Sequence, residues 1–251
     1  MKEFVKILRM IFPLAFFLAI WQILSATGNL NQSFIPSPIV IVRDLINLLF
    51  NGSLAMDILV SVRRVLTGFA LAAVVGISLG VICGINRRVY NFLNPLIEIF
   101  RPMPPIAWVP LAILWLGLGD RPAFFLVFLG AFFPIFTGTY LGVTSLDEVY
   151  RRAAYSLGAT RKKFIIDILL PSALPNIFTG LKIGLGIGWM SVIVAEMVGA
   201  QSGLGYMIQL NRIMLEIPGV VVGMVVIGSI GFLMNKIVVL SEGYLMPWRK
   251  L

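Results

Sequence analysis

Long apolar stretches, separated by short polar ones, make up most of the chain. A helix of about 20 apolar residues is long enough to cross a bilayer. Such runs predict spans at residues 10–27, 58–85, 122–143, 176–200 and 219–241, with a further, interrupted span that begins near Asn94. The pattern therefore predicts an all-α polytopic membrane protein with about six transmembrane helices.

The segment between the first two spans, residues 28–57, has a mixed composition. Pro36-Ser37-Pro38 precedes an amphipathic stretch that continues through Leu49, and Asn51-Gly52 then forms a turn. We expect a helix at the outer membrane surface. The chain accordingly divides into residues 1–56, an anchor span with this external segment, and a core transmembrane domain over residues 57–251.

Small residues recur at every fourth position in two of the predicted spans. In lipid, the hydrophobic effect no longer drives helices together, and small residues allow them to pack closely. The spacing therefore predicts two helix-packing stripes, formed by Gly68, Gly76, Gly80 and Gly84 in the second span and by Gly180, Gly184 and Gly188 in the fifth.

The third span contains the run Arg101-Pro102-Met103-Pro104-Pro105. Three prolines in four residues break a regular helix. Irregular backbone at membrane depth is tolerated only where protein or a water-filled cavity surrounds it. The run is therefore either part of a translocation path or a kink at the cytoplasmic surface. The path hypothesis takes Arg101, Pro102, Met103 and Pro104 as lining residues.

Ionisable residues are few within the spans. Glu98 lies close to the predicted inner surface, and Glu196 lies late in the fifth span. An acid at that depth is a candidate for function, so Glu196 joins the translocation-path candidates. The alternative is a structural acceptor for a neighbouring helix or backbone group. Lys182, one turn above the cytoplasmic end of its span, is expected to extend toward the surface.

Composition and charge agree with a membrane protein. The chain is 59% hydrophobic and 12% charged, about half the charged share of a soluble domain. Its net charge of +9 does not indicate nucleic-acid binding, because the basic residues flank apolar spans and form no continuous patch. Twelve Lys and Arg residues fall in predicted inside segments and five outside, which predicts that both termini are cytoplasmic.

The chain is poor in catalytic and metal-binding residues. It has one cysteine, Cys83, and no histidine, so an internal disulfide and a His–Cys metal site are excluded. No stretch reads G-x-x-x-x-G-K-[ST], the loop that cradles ATP phosphates. We expect no catalytic residue and no cofactor in this chain, and ATP hydrolysis, if it drives transport, must occur in another chain.

The most polar segment covers residues 147–175. It reads as a helix, a turn and a second helix. Gly158 stands where a helix ends in a left-handed residue. Thr160 is positioned to cap the second helix, and Pro171 is predicted to close it.

The spacing within this segment resembles the EAA loop of ABC importer permeases. The family pattern reads Glu-Ala-Ala, three residues, Gly, nine residues, Ile, any residue, Leu-Pro; here Arg152 replaces the glutamate and the other fixed positions match. In that family the loop is the cytoplasmic coupling helix, which docks on the ATP-hydrolysing subunit. The resemblance assigns ATPase contact to Arg152, Ala153, Ala154, Leu157, Gly158, Ala159, Thr160, Phe164 and Pro171.

Further stretches resemble the nitrate, sulfonate and taurine branch of these permeases, among them residues 61–69, 101–105, 178–183, 195–197 and 202–206. The resemblance implies a type I importer transmembrane domain in a bacterial inner membrane, which carries a small, mostly anionic solute. It also implies a second permease copy, two ATP-binding cassette subunits that bind ATP and Mg²⁺, and an external substrate-binding protein. The alternative function is a self-contained secondary transporter or channel. That function would need ion-coupling groups within the membrane, in which this chain is poor.

Overall fold

The structure is a computed structural model that describes residues 12–13, 16–25 and 35–248. The helices within these residues are α1 (Phe16–Ser25), α2 (Pro38–Phe50), α3 (Ser53–Ile85), α4 (Arg87–Phe100), α5 (Val109–Leu116), α6 (Asp120–Thr144), α7 (Glu148–Ser156), α8 (Arg161–Phe164), α9 (Leu170–Gly199), α10 (Leu204–Ile213) and α11 (Ile217–Leu245). Parts of the predicted first span, residues 10–27, lie outside the described residues.

Four helices among the described residues are long and apolar enough to cross a membrane. They are α3, α6, the continuous helix Arg161–Gly199 and α11. A fifth span is present if α4 and α5 are counted as one bent crossing. The all-helical membrane architecture is therefore confirmed, with four to five candidate spans in the described part of the chain.

The spans place two sets of connections at opposite ends of the bundle. We call residues 147–175 the polar loop, and the end of the bundle that carries it the polar-loop end. The opposite end carries residues 117–120 and 200–203, where the Gly119 N–H donates to the Gly199 carbonyl over 3.1 Å. α3 and α6 are joined through the bent pair, and α6 and α9 through the polar loop.

α6 is the central helix and packs between α3 and α9. On the α3 side, a Cβ atom at Gly80 would lie 2.6 Å from Thr139 Cβ, and one at Gly76 would lie 3.1 Å from Ile135 Cγ2. The predicted stripe Gly68, Gly76, Gly80 and Gly84 therefore faces α6, and the two helices approach too closely for larger side chains.

The second stripe packs on the other side of α6. A Cβ atom at Gly180 would lie 2.7 Å from the Pro134 carbonyl oxygen, and one at Gly184 would lie 2.9 Å from the Ala131 carbonyl oxygen. At Gly188 the nearest atom would be Val127 Cγ1 at 3.2 Å. Here the obstacle is largely backbone, which cannot move aside as a side chain can.

The third span breaks at its proline run. The axes of α4 and the following helical segment, Pro105–Leu116, meet at 85°. α4 begins at Arg87, so the prediction of a start near Asn94 is wrong. The reason is the cap: Asn86 Oδ1 accepts a hydrogen bond from the Arg88 N–H over 3.0 Å, which starts the helix as soon as α3 ends.

The prediction that Pro171 closes the second helix of the polar loop is wrong. The helix continues from Arg161 to Gly199 through a π-type turn at Ile165–Leu169. In this turn the Leu170 N–H donates to the Ile165 carbonyl, five residues back. The wider turn relieves the clash that a proline ring makes with an α-helical turn. The fifth span therefore begins at the polar loop and not at residue 176.

The segments predicted to lie outside the membrane also contain helices. α2 is capped by Ser37, ends at Asn51-Gly52 with Gly52 at φ +73°, and packs on α11 and α3. The short segment 201–218 contains α10, which packs on α9 and α11. Both helices lie against the spans at the opposite end of the bundle.

A leucine at Gly80 tests the close packing of α3 on α6. We expect Gly80→Leu to lower the stability of the detergent-solubilised protein by about 3 kcal/mol, because overpacking forces the two helices apart. The control is Gly228→Leu, since nothing lies within 4 Å of a Cβ atom at Gly228. Thermal unfolding of the two variants checks this, and equal melting temperatures would contradict the packing account.

Candidate functional site

A cavity of about 500 Å³ lies between the proline run, α6 and α9. Four of the predicted path residues, Arg101, Pro102, Met103 and Pro104, line it. The remaining walls come from Pro105, from Leu129, Gly130, Phe133, Pro134, Thr137, Gly138 and Leu141 of α6, and from Asn176, Thr179, Gly180, Ile183 and Ile187 of α9. The break in the third span thus borders a cavity, the setting in which irregular backbone is tolerated at membrane depth.

The cavity is apolar with a few polar groups. The polar residues that line it are Arg101, Thr137, Asn176 and Thr179, and no acidic residue in the described part of the chain lines it. The Thr179 hydroxyl donates to the Pro175 carbonyl over 2.9 Å. Arg101 caps the C-terminal end of α4, where the helix dipole favours a positive charge.

Glu196, the fifth path candidate, does not line this cavity. Its side chain is fully buried near the opposite end of the bundle. The carboxylate accepts hydrogen bonds from Ser61 Oγ at 2.8 Å, from Arg64 Nη1 at 2.9 Å and from the Gly205 N–H at 2.9 Å. This is the structural role that the sequence left open as the alternative, a carboxylate that serves neighbouring helices and backbone.

Arg64 connects this carboxylate to two further elements. Its Nη2 donates to Asp120 Oδ1 over 2.6 Å, and its Nη1 donates to the Ser202 carbonyl over 2.6 Å. The guanidinium is buried, so its charge depends on these partners. Arg64, Asp120 and Glu196 therefore tie together the ends of α3, α6 and α9.

The loop before α10 is held by the same cluster. The Gly203 N–H donates to Asp57 Oδ1 over 2.8 Å, and the Leu204 N–H donates to Ser61 Oγ over 2.9 Å. Gly203 has φ +107°, and a Cβ atom there would lie 2.5 Å from the Glu196 carboxylate. Only glycine fits this position, since both the backbone angle and the carboxylate exclude a side chain.

A second interior ion pair joins α9 to α11. Lys182 Nζ donates to Glu242 Oε2, and the Glu242 side chain is 5% exposed. The expectation that Lys182 extends to the membrane surface is therefore wrong, because a buried carboxylate holds it in place. Sequence reasoning missed Glu242 because it ended the sixth span at residue 241, whereas α11 continues to Leu245.

The polar loop has the predicted helix–turn–helix geometry at its centre. Gly158 adopts φ +82°, and Thr160 Oγ1 accepts from the Lys163 N–H over 3.3 Å. In α7, Glu148 accepts a hydrogen bond from Arg151 over 2.6 Å and lies 3.5 Å from Arg152 Nε. Arg151 lowers the pKa of the Glu148 carboxyl below its ordinary value. The two arginines thus share one carboxylate on the loop surface.

The loop has a buried side and an exposed side. Ala154 and Phe164 are buried against Val143, Leu169 and Ala173 of the bundle. On the other side, the Leu157 side chain is 88% exposed at the tip of the turn, next to the exposed Gly158. Of the remaining loop candidates, the structure places Arg152, Ala153 and Thr160 on the exposed side and leaves Ala159 and Pro171 partly buried.

Within the described part of the chain, no group of three or more His, Cys, Asp or Glu side chains is arranged to hold a metal ion. Cys83 is buried among apolar residues of α3.

Comparison with known proteins relates the chain to transport proteins. The family described as binding-protein-dependent transport system inner membrane component matches residues 76–250. A putative ABC transporter permease protein of Methanocaldococcus jannaschii, MJ0413, is 38% identical, with 92% of this chain and 88% of that protein covered.

Two further relatives carry substrate names. The putative aliphatic sulfonates transport permease protein SsuC of Bacillus subtilis is 34% identical, with 94% of this chain and 85% of that protein covered. The taurine transport system permease protein TauC of Escherichia coli is 34% identical, with 94% of this chain and 87% of that protein covered. The resemblance to the sulfonate and taurine permeases is therefore confirmed.

A solved structure of the MetNI methionine ABC transporter, in an inward-facing conformation, shows the same fold. The TM-score is 0.67, the sequence identity is 19%, and the match covers 78% of this chain and 97% of that chain. At this identity the likeness concerns the fold alone.

Replacing Arg64 tests the cluster around Glu196. We expect Arg64→Met to destabilise the purified protein by about 3–5 kcal/mol, because it leaves a buried carboxylate without its cation. The matched control is Arg63→Met. Arg63 also pairs with Asp120, but its side chain is 62% exposed. The free energy of unfolding should therefore fall by less than about 1 kcal/mol in this variant.

Thermal unfolding of both variants in the same detergent measures the difference. The double variant Arg64→Met/Glu196→Gln should recover part of the lost stability, since the unpaired charge is then removed. Equal effects of the Arg63 and Arg64 substitutions, or a double variant no more stable than Arg64→Met, would contradict the role given to this ion pair.

Proposed function

This chain belongs to the family of binding-protein-dependent transport inner membrane components, and we propose that it forms the translocation path of an ATP-driven importer for a small anionic solute. The observation that carries the proposal is the cavity between the proline run, α6 and α9, whose described lining residues include one cationic side chain and no acidic one. Sulfonates, taurine and nitrate are the solute class proposed, in line with the names of the sulfonate and taurine relatives.

The proposed topology has six spans, with both termini in the cytoplasm of a bacterial inner membrane. The excess of Lys and Arg in the polar loop and in the other inside segments supports this orientation. It places the polar-loop end in the cytoplasm and the opposite end, with the Arg64–Glu196 cluster, outside. The cavity then lies along the cytoplasmic halves of α6 and α9.

The polar loop is proposed as the coupling helix that contacts an ATPase subunit. Its exposed side combines the apolar Leu157 tip with the small Ala153 and Gly158, so another protein can approach the backbone closely. Its buried side, Ala154 and Phe164, packs into the bundle next to the start of α9. A force applied to the loop would therefore reach α9, which lines the cavity, through a continuous helix.

The remaining partners are those that the family implies. Since no stretch of the sequence reads as an ATP-binding loop, ATP hydrolysis is assigned to separate subunits, and two ATP-binding cassette subunits are proposed to bind ATP and Mg²⁺ below the membrane. A second copy of the permease would complete the path, and an external binding protein would deliver the solute at the opposite end. The loaded binding protein and the ATPase subunits must then influence each other through the permease.

A secondary transporter or channel is the second candidate function, and the interior charges weigh against it. An ion-coupled transporter needs ionisable groups that exchange ions within the membrane. Glu196 is paired with Arg64, and Glu242 is paired with Lys182. Glu98 accepts a hydrogen bond from Asn94 on α4 and is not among the residues that line the cavity.

A variant of the loop tip tests the proposed coupling. We expect Leu157→Ser to weaken binding of the purified ATPase subunit at least about tenfold, because it removes a central apolar contact of the interface. Folding should be unaffected, since this side chain is 88% exposed. The control, Tyr244→Ser, removes an 87% exposed side chain near the same end of the bundle but outside the loop.

Binding is measured by titrating the ATPase subunit onto the permease in lipid nanodiscs, with melting temperature as the check on folding. Wild-type affinity in Leu157→Ser, or an equal loss in Tyr244→Ser, would contradict the assignment of the loop as the ATPase contact.

A further inference from the structure

Among the described residues that line the cavity, Arg101 is the only one with a charged side chain. It is exposed, and within the described residues it takes part in no ion pair. A guanidinium is charged at every physiological pH. Within the described residues, the positive charge of Arg101 is therefore not paired with a carboxylate.

The other charges near the spans do not cancel this one. Lys182, on the cavity-lining helix α9, is neutralised by Glu242, and the Glu196 charge is neutralised by Arg64. Both pairs are tied to their own partners and lie outside the cavity lining. Glu98 lies on α4, one turn before Arg101, but it forms no ion pair with Arg101 and is not among the lining residues. Among the described lining residues, Arg101 therefore sets the sign of the local potential.

Neutral hydrogen-bond donors accompany the charge. Asn176 offers an amide NH₂ and Thr137 a hydroxyl, and both residues line the cavity with Arg101. The guanidinium presents its N–H groups as a planar fork that matches two oxygens of an oxyanion. Together these groups suit a small anion with several oxygens, whereas the charge of Arg101 repels a cation.

We propose that Arg101 is the specificity-determining residue of the cavity, which attracts small oxyanions and rejects cations. This inference rests on the proposed function, because it names the group that selects the solute class. One exposed arginine on a cavity of about 500 Å³ forms a weak site. Weak binding suits transport, since a solute must leave the path as readily as it enters.

The test reads the charge of the cavity without any transport partner. In a Cys83→Ala background, Thr179→Cys places one thiol in the cavity lining of the full chain in nanodiscs. The thiol is modified by sulfonatoethyl methanethiosulfonate, an anion, or by trimethylammonioethyl methanethiosulfonate, a cation. The ratio of the two rates cancels the reactivity of the thiolate itself and reports the local potential.

We expect Arg101→Gln to lower the anion-to-cation rate ratio by roughly fivefold, and Arg101→Lys to keep most of it, because one charge near the thiol acts oppositely on the two reagents. The difference in rate ratio between Arg101→Gln and the protein that retains Arg101 should shrink at high salt, because salt screens the charge. The control is Arg121→Gln, which removes an exposed arginine at the opposite end of the bundle.

An unchanged ratio in Arg101→Gln would overturn the proposal, and so would an equal drop in Arg121→Gln or a thiol that neither reagent reaches. Failure of the proposed importer function is a separate result. The labelling uses neither ATPase nor binding protein, so a permease that binds no ATPase subunit would fail the coupling test and still report the charge of this cavity.

Discussion

The near contact between the backbones of α6 and its two neighbours is the constraint on which the structure depends. Glycines of α3 and α9 allow both helices to approach α6 where a single Cβ atom would collide with it. In a membrane this close packing supplies the attraction that the hydrophobic effect supplies in water. It also fixes the spacing of α6 and α9, and therefore the shape of the cavity between them and the proline run.

Among the described residues, the interior charges divide into paired ones, which hold the bundle together, and that of Arg101, which lines the cavity. Arg64 with Glu196 and Asp120, and Lys182 with Glu242, join helices at two depths. A buried charge is tolerated when it is paired and hydrogen-bonded, and both groups meet that condition. Arg101 differs because it has no such partner among the described residues, which makes its charge available to a solute.

Local features of the sequence predicted much of this arrangement. The spacing of small residues identified both packing stripes, the proline run predicted the broken span, and Gly158 and Thr160 adopt the expected turn and cap. Each of these features depends on residues that lie close together in the sequence. The pairing of Arg64 with Glu196 joins residues 132 apart, and no local pattern specifies such a partner. The helix that passes Pro171 was missed because a π-type turn overrides the usual effect of proline.

The central claim is that this chain couples solute movement to ATP hydrolysis in a separate subunit. The most direct measurement is ATP hydrolysis and solute uptake in proteoliposomes that contain the permease and its ATPase subunits, with and without the loaded binding protein. The account predicts that the loaded binding protein accelerates hydrolysis and that uptake requires ATP. Uptake by the permease alone without ATP would contradict it and would favour a self-contained transporter.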